Sequence, residues 1–96
     1  MYQVQEATIP ICLSLLKTNG TPETGRTVLI YIYECDTPAL VINGATMTEG
    51  LAGYYGYLWT HGFTVNKTIT WYALDSGKVV GSGKFRIVTN KQDIID

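Results

Sequence analysis

Hydrophobic residues alternate with polar residues along most of this chain, and the alternation predicts β-strands. The clearest segment runs from residue 27 to residue 35, where the two faces of an extended chain carry Val28, Ile30 and Ile32 on one side and Leu29, Tyr31, Tyr33 and Cys35 on the other. Because both sets are apolar or aromatic, this strand is expected to be covered on both faces. No stretch repeats apolar residues with the helical period.

Other segments show the same pattern between clusters of turn residues. Strands are predicted over residues 9–16, 40–42, 54–60, 68–74 and 79–88. Pro10 cannot donate a hydrogen bond to a neighbouring strand, so the first of them is expected at a sheet edge. The dipeptide Asn43-Gly44 favours a tight turn that ends the short strand 40–42. Gly81 and Gly83 indicate a β-bulge in the last strand.

The aromatic residues divide into two groups. Tyr55, Tyr57 and Trp59 alternate along one strand and are expected to pack inward against Val28, Ile30 and Ile32. Trp71 alternates with Ile69 and Ala73, which also indicates burial. Four other tyrosines form the candidate contact surface for a partner: Tyr31, Tyr33, Tyr54 and Tyr72.

About seven short strands, with turn signals every eight to twelve residues, predict an all-β fold. We expect an antiparallel two-sheet β-sandwich of immunoglobulin-like architecture, with a small barrel as the alternative. The domain is expected to span residues 9–88, preceded by an N-terminal arm of residues 1–8 and followed by a C-terminal tail of residues 89–96.

Composition and charge exclude several function classes. The 96 residues carry seven basic and eight acidic side chains, so no basic surface for nucleic acid or an anionic membrane is expected. No apolar run reaches the ~20 residues of a membrane-spanning helix, and the first residues do not resemble a signal peptide. Cys12 and Cys35 are expected to be free and mostly buried rather than disulfide-bonded, and with one histidine they lack the spacing of a zinc site.

No catalytic constellation is visible, and the chain is not expected to be an enzyme or to bind a cofactor or metal. His61 is the only histidine, and its Thr-His-Gly setting indicates a surface loop rather than a catalytic base. Glu49 is expected to cap or brace a turn. The acidic residues do not form a catalytic pair by spacing: Glu34, Asp36, Glu49 and Asp75. The sequence Gly-Ser-Gly-Lys at 81–84 lacks the spacing of a phosphate-binding loop.

Three segments resemble a recurring immunoglobulin-like domain of phage virion proteins. Residues 19–28, NGTPETGRTV, are similar to the "dGtPxtGltV" turn of that domain, and residues 47–57 are similar to its "MtEvgxGxYxY" segment. Residues 74–77, LDSG, stand where such domains carry an Asp-x-Gly turn. The resemblance covers residues 9–88. Arg26 replaces the usual leucine, and Leu51-Ala52 forms an extra loop.

The resemblance implies a structural module of phage heads, tails or fibres with no catalytic residues to carry over. The expected function is a non-enzymatic virion structural protein, made in the host cytoplasm, that docks on the capsid lattice as a head decoration or auxiliary capsid protein. Its expected partners are other virion proteins of the capsid or tail, with homo-oligomers as a further expectation. Residues 1–8 and 89–96 would serve as contact arms.

Two alternatives belong to other function classes. A tail- or fibre-associated module would bind a carbohydrate or receptor through the tyrosines. A small hydrolase would need His61 beside a nucleophile.

Overall fold

The computed structural model describes residues 2–4, 8–35, 39–63 and 66–88, and these contain eight β-strands and no helix. The described residues therefore include no membrane-spanning helix. In chain order the strands are β1 (Tyr2–Val4), β2 (Thr8–Ser14), β3 (Val28–Glu34), β4 (Ala39–Thr46), β5 (Thr48–Glu49), β6 (Tyr54–Thr60), β7 (Lys67–Asp75) and β8 (Lys78–Ile87).

The strands form two sheets that face each other. The larger sheet has the order β1-β8-β7-β3-β4 and the smaller one the order β2-β6-β5. Every pairing is antiparallel except the parallel contact of β1 with β8. Starting from β8, the larger sheet follows the G-F-C-C′ order of a variable-type immunoglobulin domain, and the smaller sheet follows B-E-D. The predicted all-β, antiparallel two-sheet sandwich is confirmed, with eight strands instead of about seven.

The core lies between the sheets and is built from the predicted alternating positions. Val28, Ile30 and Ile32 of β3 are fully buried, and Tyr55 and Trp59 of β6 pack into the same cluster. Tyr57 is half-buried against this cluster. The predicted inward face of β6 is therefore confirmed. The outer face of β3 is only half-buried, so the expectation that both faces of this strand are covered holds in part.

Three strand predictions are confirmed closely. β6 has the predicted bounds, and β7 extends the predicted strand by one residue at each end. β2 lies at the edge of the smaller sheet, as expected from Pro10.

The prediction of a turn at Asn43-Gly44 is wrong. β4 continues through both residues to Thr46, and its register against β3 shifts between Ile30 and Tyr31. Gly44 is left without a partner there as a β-bulge, in a backbone conformation with φ of 78° that suits glycine. A side chain at this position would begin 3.2 Å from the Tyr31 hydroxyl. The bulge therefore makes room for Tyr31.

The two glycines of β8 serve different purposes. The register of β7 against β8 shifts beside Gly81, so the predicted bulge lies there. Gly83 is paired with Trp71, and a Cβ on it would lie 2.4 Å from the indole Nε1. The indole therefore covers the backbone of β8 at a distance that only glycine permits. Trp71 itself is half-buried.

The structure differs from the expected chain ends. Residues 2–4, assigned to an arm, form β1 and pair with residues 85–87 of β8. Residues 2–4 are therefore part of the larger sheet rather than a separate contact arm. The predicted tail, residues 89–96, lies outside the described residues.

The expectation of two mostly buried thiols is wrong for one cysteine. Both cysteines are free, but Cys12 is exposed on β2. Cys35 is half-buried, with its sulfur 2.8 Å from the Thr70 hydroxyl.

Candidate interaction surfaces

The four candidate tyrosines do not share one surface. Tyr31 and Tyr33 project outward from β3 and Tyr72 projects outward from β7, so these three meet on the outer face of the five-stranded sheet, here called the tyrosine face. Tyr54 lies on β6 in the other sheet and is 57 % exposed. The structure therefore assembles three of the four predicted contact residues and separates the fourth.

The tyrosine rings contact one another across the strand pair. Tyr31 and Tyr72 are directly opposite in register, and their rings stack with centroids 5.0 Å apart and planes 11° from parallel. Tyr33 approaches Tyr72 edge-on at 6.3 Å. Such pairs contribute about 1 kcal/mol beyond the area they bury. The ring contacts therefore hold the three half-buried tyrosines, with their hydroxyl groups, in a fixed arrangement before any partner binds.

The charges near the tyrosine face have one sign. Lys84 and Arg86 of β8 are exposed, and they lie opposite Thr70 and Thr68 of β7 in the row beside Tyr72. The strands β3, β4, β7 and β8 contain only two acidic residues, Glu34 and Asp75, and both are at inward register positions and in ion pairs. Within these four strands the tyrosine face presents cations without carboxylates.

The outer face of the three-stranded sheet has a different character. It consists of Thr48 of β5 and the four outward pairs of β2 with β6: Thr8–Thr60, Pro10–Leu58, Cys12–Gly56 and Ser14–Tyr54. None of these residues is charged, and neither β2 nor β6 contains any charged residue. We call this surface the uncharged face. It exposes Leu58 by 70 % and Tyr54 by 57 %.

The segments that carry the family resemblance meet at one end of the sandwich, here called the motif end. Glu49, at the end of β5, accepts hydrogen bonds from the backbone N–H of Gly53 at 2.9 Å and of Gly25 at 3.0 Å. These two bonds hold the pKa of the Glu49 carboxyl below its usual range. The expectation that Glu49 braces a turn is confirmed, and it joins two loops rather than one.

The Tyr55 hydroxyl makes a second link at the motif end. It accepts a hydrogen bond from the backbone N–H of Arg26 at 3.1 Å and donates one to the carbonyl of Glu23 at 2.8 Å. Gly53 adds a close approach, since a Cβ there would lie 2.8 Å from that of Pro22. The loop before β3 is thereby fastened to the smaller sheet.

Arg26, where the resemblance departs from its usual leucine, reaches the third segment. Its guanidinium donates to the Asp75 carboxylate from Nε at 2.9 Å and from an Nη at 3.0 Å. This bidentate contact lowers the pKa of Asp75. The departure therefore adds an ion pair between the loop and the turn of the last hairpin.

The residues weighed for catalysis lie apart or in structural contacts. His61 stacks on Phe63 at 5.9 Å beside Trp59. Glu34 is buried and pairs with Lys67 at 2.7 Å. Asp36 lies outside the described residues. Within the described ranges, His, Cys, Asp and Glu nowhere gather in a group that would hold a metal ion.

Comparison with family models, with curated proteins and with solved structures found no match.

Sequence reasoning missed the cations of the tyrosine face and the whole of the uncharged face. The alternation Ser82, Lys84, Arg86 places both cations on one side of β8, but only the register with β7 brings them beside Tyr72. The absence of charge in β2 and β6 is visible in the sequence. Their pairing, which makes one continuous surface of the two segments, is not.

Proposed function

We propose that this chain is a non-enzymatic structural protein of a phage virion, a head decoration or auxiliary capsid protein that docks on the capsid lattice. The observation that carries the proposal is the motif end. Segments 19–28, 47–57 and 74–77, which resemble parts of virion immunoglobulin-like domains, are far apart in sequence but bonded to one another through Glu49, Tyr55 and Arg26. The resemblance thus falls on one cooperating unit rather than on scattered turns.

The tyrosine face is the docking surface in this proposal. Tyrosine and arginine are enriched at protein interfaces because they combine large contact area with polar groups. Lys84 lies diagonal to Tyr72, and Arg86 follows further along the same side of β8, opposite Thr68, so the partner surface is expected to carry carboxylates. Complementary charge favours correct orientation and faster association.

A carbohydrate- or receptor-binding module is the second candidate, and ring geometry weighs against the sugar form of it. Sugars bind best on an exposed flat aromatic ring. The rings of Tyr31 and Tyr72 stack on each other, so each has one face already occupied. Tyr54 is exposed and is the better candidate for that role, but it stands apart from the three clustered tyrosines.

The proposal is tested by mass spectrometry and cryo-electron microscopy of the phage particle whose genome encodes the chain. Many copies at regular lattice positions would support a decoration role. A few copies at the tail tip would favour the receptor-binding alternative. Absence from the particle would overturn the virion proposal.

Binding to particles that lack the chain then tests the docking surface. Tyr72→Ala is expected to weaken binding by about tenfold or more, as for a central aromatic contact. Tyr54→Ala is the matched control on the opposite sheet and is expected to bind normally. Equal binding by both variants and the unmodified chain would exclude the tyrosine face as the docking surface.

A further inference from the structure

We infer that the uncharged face binds a second copy of this chain, forming a two-fold symmetric dimer through the three-stranded sheet. This inference is independent of the proposed function, which uses the opposite surface of the sandwich. It starts from the exposed surface of β2 and β6. Charged side chains are common on the solvent-facing side of an antiparallel sheet, where outward polar positions alternate with inward hydrophobic ones. β2 and β6 have none, and they expose Leu58 and Tyr54.

Of the two outer faces, the uncharged face is the one whose charge suits contact with a second copy. In a two-fold dimer the same patch contacts itself, so any charged residue near the axis faces its own like charge. The uncharged face meets this requirement, because its outward residues are all neutral. The tyrosine face does not, since self-pairing would bring Lys84 and Arg86 of two copies together.

The shape of the face also suits contact between sheets. Gly56 of the central strand β6 lies between Cys12 of β2 and Thr48 of β5. The small residue leaves a shallow depression bordered by Pro10 and Leu58. Leu58 of one copy is exposed enough to enter the depression of the other, which is the reciprocal fit that a two-fold axis allows.

The size of the face sets the expected strength. β2 and β6 are seven residues long, so the face is about 24 Å by 14 Å, or roughly 340 Å² in projection. A standard interface buries about 800 Å² on each partner. We therefore expect weak self-association that is detectable only at high concentration and becomes effective where copies are concentrated.

Sedimentation velocity of the isolated chain under reducing conditions, from about 10 µM to about 1 mM, tests the dimer. The average mass is expected to rise with concentration for the unmodified chain. Leu58→Lys is expected to weaken the association by tenfold or more, because it buries an unpaired charge at the axis. Val79→Lys is the matched control: Val79 is 64 % exposed, against 70 % for Leu58, but lies on β8 of the other sheet.

Thiol cross-linking gives a second measurement that does not depend on mass. Cys12 is exposed within the uncharged face, so a short bismaleimide should join two copies through this residue in a Cys35→Ser background. Leu58→Lys should reduce the yield and Val79→Lys should not. Circular dichroism establishes that each variant remains folded.

Three results would overturn the inference. The first is a chain that stays monomeric to 1 mM. The second is a dimer that Val79→Lys disrupts and Leu58→Lys does not, which would move the contact to the other sheet. The third is a monomer whose Cys12 becomes protected from alkylation only on the particle, which would assign the face to a capsid partner. The first two results leave the Tyr72→Ala binding test unchanged, whereas the third would require a control other than Tyr54→Ala, because Tyr54 lies on the uncharged face.

Discussion

The two sheets of this sandwich share one core and differ in what they expose. The five-stranded sheet exposes clustered tyrosines with Lys84 and Arg86, whereas the three-stranded sheet exposes a surface with no charge. We proposed a capsid contact for the first surface and a contact with a second copy for the second. The two proposed contacts lie on opposite sides of the sandwich, so each can be tested by its own mutations.

The two sheets also differ in the role of one glycine in each: Gly83 faces the core side and Gly56 faces solvent. Gly83 of β8 lies under the Trp71 indole, where a Cβ would be 2.4 Å from Nε1. Gly56 of β6 lies on the uncharged face, where a Cβ would make ordinary contacts with the Cys12 sulfur at 3.7 Å and the Ile11 carbonyl oxygen at 3.9 Å. The first glycine serves packing, and the second shapes a surface.

The largest effect is therefore expected from Gly83→Ala. The new methyl group must displace the Trp71 ring from its place against the strand, which should lower the free energy of unfolding by about 2 kcal/mol or more. Urea unfolding followed by tryptophan fluorescence measures the loss. Gly56→Ala is the control and should change stability by less than about 0.5 kcal/mol. Similar losses in the two variants would mean that glycine matters at both sites through the backbone alone.

The next largest loss of stability is expected at Tyr55 and not at its neighbour Tyr54 in β6. Tyr55→Phe removes the hydroxyl that bonds the backbone N–H of Arg26 and the carbonyl of Glu23. Because both backbone groups then lose this partner, the free energy of unfolding should fall by about 1–2 kcal/mol. Tyr54→Phe removes a hydroxyl from the exposed neighbour and should be close to neutral. The measurement is the urea midpoint at pH 7, and a loss in Tyr54→Phe as large as in Tyr55→Phe would contradict the assignment.

The charge of the tyrosine face gives a smaller effect that appears only in binding. Lys84→Glu should weaken attachment to particles by about tenfold and reduce its dependence on salt. Lys17→Glu makes the same change of charge in an exposed loop at the motif end and should bind nearly as the unmodified chain does. Equal weakening by both variants would assign the effect to net charge rather than to this face.

Local patterns predicted the inner half of this structure well. β3 and β6 follow their alternation, Pro10 marks an edge strand, and Glu49 braces loops as expected. Apart from the bond of Glu49 to Gly25, these features depend on residues close together in the chain or on the period of a single strand. Both are properties that a sequence displays directly.

Most of the failures depend on contacts between distant segments, although the exposure of Cys12 follows from its alternation with Ile9 and Ile11 on β2. Asn43-Gly44 has the local chemistry of a turn, but room for Tyr31 makes it a bulge. Tyr54 was grouped with the other tyrosines because alternation places a residue on one face of its own strand without assigning that strand to a sheet. Lys84 joins the tyrosine face only through the pairing of β7 with β8. Register and sheet assignment carried this information, and neither is local.

The smallest expected effect is a loss of folding stability at acid pH. One carboxylate from each sheet is responsible for it. Glu49 of β5 and Asp75 of β7 both have a pKa lowered in the folded state. Their stabilisation is complete above the ordinary carboxyl pKa of about 4 and is lost as the pH falls through the lower folded-state pKa. The urea midpoint should therefore be level from pH 7 to about pH 5 and then decline. The variants Glu49→Gln and Asp75→Asn should each have a lower urea midpoint at pH 7. As the pH falls, that midpoint should decline less steeply than that of the unmodified chain.

Salt distinguishes the two carboxylates, because their partners differ. Asp75 pairs with the cation of Arg26, whereas Glu49 accepts hydrogen bonds from the backbone N–H groups of Gly25 and Gly53. In about 1 M NaCl the exposed ion pair is screened, so the difference between Asp75→Asn and the unmodified chain should shrink. The difference for Glu49→Gln should persist. If salt reduces both differences alike, both carboxylates stabilise the motif end through charge. The distinction between an ion pair at Asp75 and backbone hydrogen bonds at Glu49 would then be wrong.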